Sequence, residues 1–159
     1  MKKKLPSFIA LVLLLLLSAC APVDYSQEKV FPEANPDKAL IYFYRSPGFI
    51  GSTYRFNVSE NQQTVGAMAQ DSYFYLFTNP GEHTFSVEDR NAEQGAMIKL
   101  SVQSGETYYI RVDMEYEVFG GKPVFTEVDK PEAMKLLPSR KYVVPGKINS
   151  STFNVHADQ

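Results

Sequence analysis

Few residue types that carry out chemistry stand together in this sequence. His83 and His156 are its only histidines, and they lie far apart in the chain. A metal site needs several nitrogen, sulfur or oxygen ligands in a defined geometry, and neither histidine has such a set nearby. Because His83 follows a Pro-Gly pair, we expect its ring to hydrogen-bond to the backbone and fix that turn. The sequence therefore predicts no metal site and no cofactor.

Three carboxylates alternate along one segment, at Asp113, Glu115 and Glu117. On a strand, period two places them on one face at a spacing of roughly 6.5–7 Å. Ca²⁺ instead needs about 6–8 oxygens that converge on one point. We interpret the three side chains as a solvated strand face whose charge protects a sheet edge.

Signatures of nucleophilic catalysis are missing from the sequence. It holds no G-x-S-x-G motif, and no lysine follows Gly48 and Gly51 in the phosphate-loop pattern. Paired carboxylates for glycoside cleavage meet only in a folded chain, so the sequence does not address them. The sequence favours a protein that is not an enzyme, and a hydrolase with an unrecognised site is the least favoured of three hypotheses.

Aromatic residues are the richest feature of the sequence. Consecutive aromatics on one predicted strand must face opposite sides, so some tyrosines could leave the core. One interpretation is cross-strand packing, worth about 0.2–1 kcal/mol per pair; this is the one we favour. The other is a face that binds glycan or protein, since tyrosine is enriched in interfaces. The candidate interaction face consists of Tyr42, Tyr44, Tyr73, Tyr75 and Tyr109.

The N-terminus reads as an export signal. Three lysines follow Met1, and residues 8–17 are wholly apolar. This apolar run is too short for a spanning helix, which needs about 20 residues. A charged start, a short apolar core and small residues after it are typical of a signal peptide, here residues 1–19.

The end of that signal, Leu17-Ser18-Ala19-Cys20, resembles the lipobox of bacterial lipoproteins. The resemblance implies that Leu17, Ser18 and Ala19 are recognised, that cleavage precedes Cys20, and that Cys20 carries the lipid. The alternative is an ordinary signal peptide with Cys20 as a chance residue. Against it, Cys20 is the only cysteine, so an exported protein would carry an unpaired thiol.

A lipid on Cys20 would hold the protein in the cell envelope. Ala21 stands where enteric-type sorting usually has Asp for inner-membrane retention, which favours the outer membrane, facing the periplasm. Without residues 1–19, the 16 basic residues fall by three and leave 13 against 18 acidic ones. No basic stripe follows, so nucleic acid is not an expected partner. The expected partners are the membrane, through the lipid, and another envelope protein or peptidoglycan.

Beyond the signal, the chain divides into three predicted parts. Residues 20–37 hold three prolines and read as a lipidated tether. Residues 38–138 consist of short apolar-aromatic runs separated by Gly/Pro turns, and they predict an all-β domain, a single antiparallel sandwich of seven or eight strands. Residues 139–159 lose this periodicity and are predicted to be a flexible tail.

Details within the domain can also be predicted. ALIYFYRS, which begins at Ala39, is apolar on both faces and therefore central. Pro123 confines its strand to an edge or is its first residue. Gly120-Gly121 indicates a two-residue hairpin. Residues 131–137 predict one short helix, capped by Asp129 and with Pro131 in its first turn.

The order of several segments resembles that of a family of predicted Gram-negative lipoproteins of unknown function. These segments are ALIYFYR, VGAM, SYFYLF, NPGEHTFSV and GETYYIRVDME, and the resemblance spans residues 38–137. The family is similar to the PEGA and carboxypeptidase-regulatory group of small β-sandwiches. The resemblance implies a sandwich fold and brings no catalytic residue with it.

Two functional hypotheses lead. The first is a non-enzymatic envelope lipoprotein that presents a strand edge or the tyrosine face to another envelope component. The second is a binding module for cell-wall glycan or a small ligand.

Overall fold

A computed structural model describes residue 29 and residues 31–48, 55–87, 95–117 and 120–145. These residues form two β-sheets and one short C-terminal helix. The strands are β1 (Ala39–Tyr44), β2 (Phe56–Glu60), β3 (Gln63–Met68), β4 (Ser72–Thr78), β5 (Gly81–Val87), β6 (Ala96–Val102), β7 (Thr107–Glu117), β8 (Gly120–Val128) and β9 (Lys141–Tyr142). Helix α1 (Lys130–Leu136) leads into a 3₁₀ helix (Leu137–Ser139).

Strand β1 lies at the centre of the larger sheet, whose order is β8-β7-β1-β4-β9. All six β1 residues are buried, because one face of the strand meets the second sheet and the other meets the C-terminal elements. The predicted central position is confirmed. The edge position predicted from Pro123 is confirmed as well, since Pro123 lies in the outermost strand β8.

The prediction of a purely antiparallel fold is wrong for this sheet. β1 pairs with β7 in parallel, with Ile41 beside Tyr108, and β4 pairs with β9 in parallel, with Tyr73 beside Tyr142. Hydrophobic alternation reports which face is buried and not the direction of the partner strand, so the sequence pattern could not reveal this. The other sheet, in the order β3-β2-β5-β6, is antiparallel throughout.

The two sheets share one apolar core. Ile41 and Phe43 of β1 face Phe85 and Val87 of β5 in the same buried cluster. The ring centroids of Phe43 and Phe85 are 5.0 Å apart. This arrangement is consistent with the predicted sandwich. We call this cluster the inner core, and its fully buried members are Ala39, Ile41, Phe43, Val58, Met68, Phe74, Phe85, Val87, Ile110 and Val112.

Two tight connections show how the sequence sets the hairpins. Asn61 and Gln62 join β2 to β3 with φ angles of 49° and 64°, as a two-residue turn of the mirror-image type requires. At the β7–β8 hairpin, Gly120 pairs with Glu117, and residues 118 and 119 lie outside the described residues. The turn predicted at Gly120-Gly121 is misplaced, because these two glycines are the first residues of β8.

Helix α1 begins and ends close to where the sequence predicts. The Asp129 carboxylate accepts a hydrogen bond from the Glu132 amide at 2.8 Å, and Pro131 lies in the first turn. This satisfies an amide that would otherwise have no partner within the helix. The buried face of α1 packs through Ala133 against the large sheet.

The chain on both sides of the predicted domain takes part in the fold. Arg140, Tyr142 and Val143 are buried, and the Val143 amide donates to the Tyr73 carbonyl at 2.8 Å, although the sequence assigned them to the tail. Upstream, residues 31–35 lie across the large sheet. Among the residues described by the structure, no helix is long and apolar enough to cross a membrane.

Candidate functional site

The five tyrosines of the predicted interaction face share one face of the large sheet. Alternation along β1 turns Tyr42 and Tyr44 away from the inner core, and the strand register places Tyr75 and Tyr109 on either side of Tyr42. Tyr42 stacks on Tyr109 with centroids 5.4 Å apart, and Tyr75 lies 5.8 Å away on the other side. We call this layer the tyrosine face.

A sixth tyrosine, Tyr142 of β9, extends the row. Its ring stacks on Tyr75 at 5.4 Å and lies 5.3 Å from Tyr73. Sequence reasoning missed Tyr142 because a strand of two residues carries no detectable period. The row therefore crosses β7, β1, β4 and β9.

The structure buries most of the tyrosine face. Tyr44 and Tyr73 are 0% exposed, Tyr42 is 3% and Tyr109 is 6%, whereas Tyr75 is half-buried. Burial raises the pKa of Tyr42 and Tyr109 above the ordinary tyrosine value, so these hydroxyls stay protonated at neutral pH. These positions agree with the packing interpretation of the aromatics.

Three short elements cover the tyrosine face. The first is the strap, which we define as residue 29 with residues 31–35. Phe31 of the strap stacks on Tyr73 with centroids 5.2 Å apart, and the Tyr42 hydroxyl donates to the Pro32 carbonyl at 3.1 Å. Helix α1 and the 3₁₀ helix supply Ala133 and Leu137. We call the strap and these two helices the outer layer.

The strap is tied to the C-terminal side of the outer layer. The Lys29 ammonium donates to the carbonyl of Pro138 in the 3₁₀ helix. The large apolar side chains that remain exposed on this side are Phe31, Phe77 and Met134, at 38%, 39% and 39%. A partner that approached this side would therefore contact these residues and, of the five tyrosines, the half-buried Tyr75.

A charged cluster lies beside Tyr44 at one end of the tyrosine face. Arg140, 6% exposed, forms an ion pair with Asp71, whose φ is positive at 62°. Arg111 contacts Asp113 at 2.9 Å and also Glu132 of helix α1. The cluster fastens α1 and the 3₁₀ helix to the sheet. Sequence alone gave no signal for it, because its charged members lie on four separate segments.

The Tyr44 hydroxyl sits in this cluster without a hydrogen bond of normal geometry. Burial raises the pKa of Tyr44, while the nearby Arg111 guanidinium opposes that shift. The group that faces the Tyr44 hydroxyl is thus the Arg111 guanidinium, whereas the Tyr42 hydroxyl donates to a backbone carbonyl.

The three alternating carboxylates follow the part of β7 that pairs with β1. β7 lies between β8 and β1, but its pairing with β1 ends at Arg111, and Asp113, Glu115 and Glu117 pair with β8 alone. The interpretation as edge protection stays a prediction. Asp113 is bound by Arg111 and by the Ser46 amide at 3.2 Å. Glu115 is exposed and faces Lys122 at 3.9 Å, and the side chain of Glu117 lies outside the described residues. The alternation of the sequence predicted that these side chains share a face, but it could not predict their partners on other segments, Ser46 and Lys122.

His83 makes the backbone contact that its position suggested. Its Nε2 lies 2.8 Å from the Asn79 carbonyl, and its Nδ1 contacts the Glu60 carboxylate of β2. Burial lowers the pKa of His83, but the hydrogen bonds to Glu60 and Asn79 and the charges of Glu60 and Glu82 outweigh it, so the pKa is raised. Both ring nitrogens face acceptors, an arrangement that the doubly protonated imidazolium satisfies.

One cavity of about 380 Å³ lies where β7 begins and β8 meets α1. Its size falls in the range of about 300–1,000 Å³ typical of small-molecule sites. The lining combines aromatic and charged side chains, and it consists of Gly105, Glu106, Thr107, Tyr108, Tyr109, Glu127, Val128, Asp129 and Lys130. Of its lining residues, Tyr109 alone belongs to the predicted interaction face.

Within the described part of the chain, no group of three or more His, Cys, Asp or Glu side chains could hold a metal ion. Several sequence predictions fall outside that part. These are the signal peptide of residues 1–19 with Leu17, Ser18 and Ala19, the lipid attachment at Cys20, and His156.

Comparison with known proteins places the fold in a family. Residues 35–125, from the end of the strap into β8, match a family model described as "Protein of unknown function (DUF2846)". The chain is also 30% identical over 129 residues to an "Uncharacterized protein" of Haemophilus influenzae, in an alignment that covers 77% of this chain and 75% of that protein. No solved structure matches the chain. The chain belongs to the DUF2846 family.

Proposed function

We propose that this protein is a lipid-anchored lipoprotein of the cell envelope whose β domain is a non-enzymatic interaction or structural module. The observation that carries the proposal is Leu17-Ser18-Ala19-Cys20, placed directly after a charged start and a short apolar run. Acylation there would consume the chain's single thiol and attach it stably to a membrane. With Ala21 after the cysteine, the proposed location is the outer membrane, facing the periplasm.

The way in which polar side chains are used supports a non-enzymatic role. His83 pairs with Glu60, Arg140 with Asp71, and Arg111 with Asp113 and Glu132. The pairs of His83 with Glu60, Arg140 with Asp71 and Arg111 with Glu132 each join two segments of the fold, whereas Arg111 and Asp113 both lie on β7. Catalytic groups usually have perturbed pKa values and line a cleft that is open to substrate. These charged residues are better explained as structural ion pairs.

The anchor is tested by the N-terminus of the protein isolated from a Gram-negative host. Mass spectrometry should find a peptide that begins at Cys20 and carries acyl chains, and the protein should fractionate with membranes. The variant Cys20→Ser should lose the acyl chains and appear in the soluble envelope fraction. If Cys20→Ser stayed wholly with the membranes, the anchor proposal would fail.

The interaction role is tested by crosslinking in intact cells, followed by mass spectrometry of what co-purifies with the tagged full-length protein. Recovery of one dominant envelope protein supports an assembly role. Recovery of glycan fragments alone would favour a second candidate function, the binding of cell-wall glycan.

The second candidate is a binding module for cell-wall glycan or a small ligand, and the cavity of about 380 Å³ favours it. Tyr108 in its lining offers a ring for stacking and Glu127 offers a hydrogen-bond acceptor. Sedimentation with purified peptidoglycan tests this candidate. Glu127→Lys should reduce retention while Glu115→Lys, exposed and outside the cavity, should not. Equal retention of both variants would count against the cavity.

We also propose that the two sheets form a PEGA-like sandwich. Gly81, with a φ of 136°, opens β5 in the Pro-Gly-x-His turn, which is the segment that carries this resemblance. An experimental structure with a different connection of the strands would contradict the proposal.

A further inference from the structure

The outer layer holds the end of the described chain nearest to Cys20. Lys29 binds the Pro138 carbonyl, and Phe31 and Pro32 bind the tyrosine face. The chain that leads from Cys20 therefore reaches the domain on the side of the outer layer. The second sheet lies on the opposite side of the inner core.

The length of the intervening chain decides which side of the domain can reach a bilayer. From Cys20 to Lys29 there are nine peptide units, which span at most about 30 Å when fully extended. A domain of this size has a radius of gyration of about 13 Å and therefore a diameter of roughly 35 Å. The tether is thus too short to favour contact between the far sheet and the membrane.

The surface chemistry of this side suits a lipid interface. Phe31, Phe77 and Met134 are three of the four exposed large apolar side chains of the described residues. Each lies on the tyrosine face or in the outer layer. Partly buried apolar side chains gain about 25 cal/mol per Å² when they leave water. The fourth, Met97 on β6, is 64% exposed and belongs to the other sheet.

Charge on helix α1 adds to this contact. Lys130 and Lys135 are exposed, and each lysine near an anionic bilayer contributes about 1 kcal/mol of attraction. The acidic groups of the helix are already engaged, because Asp129 caps its first turn and Glu132 pairs with Arg111. Exposed Glu33 of the strap opposes the attraction.

We infer that the outer layer, through Phe31, Met134, Lys130 and Lys135, rests on the surface of the bilayer that holds the lipid anchor, and that the second sheet points away from it. This inference rests on the proposed lipidation of Cys20. It assigns an orientation to the domain and leaves β6 and the outer face of its sheet for any other envelope partner.

The experiment depends on Cys20 being the only cysteine of the chain. If Cys20 is acylated, an introduced cysteine is the only free thiol. Full-length lipidated protein is prepared as Met134→Cys and, for the matched control, as Met97→Cys; both positions are exposed, so both variants should fold. A maleimide fluorophore labels the new thiol, and the protein is reconstituted in vesicles of phosphatidylethanolamine and phosphatidylglycerol that contain headgroup-nitroxide lipid. Quenching should be severalfold stronger for Met134→Cys than for Met97→Cys.

The outcomes distinguish a failure of the proposed lipid anchor from a failure of the proposed orientation. Maleimide should not label the wild-type protein, because its only thiol is acylated; labelling there would defeat the proposed anchor itself. With wild type unlabelled, equal quenching at the two positions, or stronger quenching of Met97→Cys, would overturn the orientation alone. Self-quenching between labelled copies without nitroxide lipid would assign the face to a second copy of the chain and would also overturn it.

Discussion

The two faces of the large sheet belong to the same strands but are stabilised by different interactions. On β1, Ile41 and Phe43 enter the inner core, whereas Tyr42 and Tyr44 enter the tyrosine face. The inner core is closed by a whole second sheet. The tyrosine face is closed by a strap, seven helical residues and a single 3₁₀ turn, which are held by hydroxyls and ion pairs.

This difference predicts two levels of stability in one molecule. Apolar side chains buried between two continuous sheets are exposed only when the sheets separate. Short elements fixed by a few polar contacts can open alone, at a fraction of the global free energy of unfolding. The inner core should therefore set global stability, and the outer layer should respond to local changes.

The largest effect is expected in the inner core. Phe43 is 0% exposed and packs against Phe74 and Phe85 at 5.2 and 5.0 Å. Phe43→Ala removes a fully buried ring and leaves a cavity, which costs about 3–5 kcal/mol of the free energy of unfolding. Urea unfolding measures the loss.

The matched control is Phe77→Ala, which makes the same chemical change on the other face. Phe77 is 39% exposed and contacts the edge of the Tyr75 ring at 6.1 Å, so the loss should stay below about 1.5 kcal/mol. Equal losses for the two variants would show that the faces do not differ as proposed.

The next effect is expected at the charged cluster. Arg140→Met removes the partner of Asp71 and should lower stability by about 1–3 kcal/mol. The effect should fall below that of a fully buried pair, since the Asp71 side chain is 39% exposed. Hydrogen exchange should speed up at the Val143 amide, which bonds to Tyr73, and stay slow in β1.

Asp71→Asn combined with Arg140→Met provides the control. Asparagine tolerates the positive φ of 62° at this position, and it removes the unpaired charge. The double variant should recover part of the lost stability. Faster exchange throughout β1 in the single variant would mean that the outer layer and the inner core open together.

Two tyrosines on one strand provide a finer test. Tyr42→Phe deletes the hydrogen bond to the Pro32 carbonyl of the strap, which should cost about 0.5–1.5 kcal/mol. The Tyr44 hydroxyl faces Arg111 without a hydrogen bond of normal geometry, so Tyr44→Phe should cost less than Tyr42→Phe. Thermal unfolding and proteolysis at the strap measure the two effects; a larger loss for Tyr44→Phe would contradict the assignment.

The sequence predicted what depends on local pattern. The alternation in β1, β4 and β7 showed which side chains share a face, and Asp129 with Pro131 located helix α1. It could not reveal the parallel pairing of β1 with β7, because direction depends on the path of the chain through the second sheet.

The sequence did not reveal how far the tyrosine face is buried. Alternation predicted that Tyr42 and Tyr44 share one side of β1, yet the cover of that face comes from segments without period, such as Phe31 and Tyr142. These residues are ordered by the contacts they make in the folded state, and such contacts leave no mark in the sequence. The ion pair of Asp71 with Arg140 escaped prediction for the same reason.

The smallest effect concerns the rim of the inner core, where His83 brings a titrating group against Phe85, with ring centroids 6.1 Å apart. Because the folded state raises the pKa of His83, its contribution to stability is fully present below the unfolded value of about 6.5. It is lost as the pH rises through the higher folded pKa. The stability advantage of wild type over His83→Gln should therefore shrink as the pH is raised from about 5.5 to about 8.5.

Urea unfolding of both proteins across this range measures that advantage, and Glu60→Gln serves as the control because it removes the facing carboxylate. Glu82 and the Asn79 carbonyl remain in that variant, so its pH dependence should be weakened and not abolished. An advantage that grew with pH would mean that the neutral ring is the form held between Glu60 and Asn79. Protonation of His83 would then destabilise the rim of the inner core, which is the opposite of what its two acceptors, Glu60 and the Asn79 carbonyl, predict.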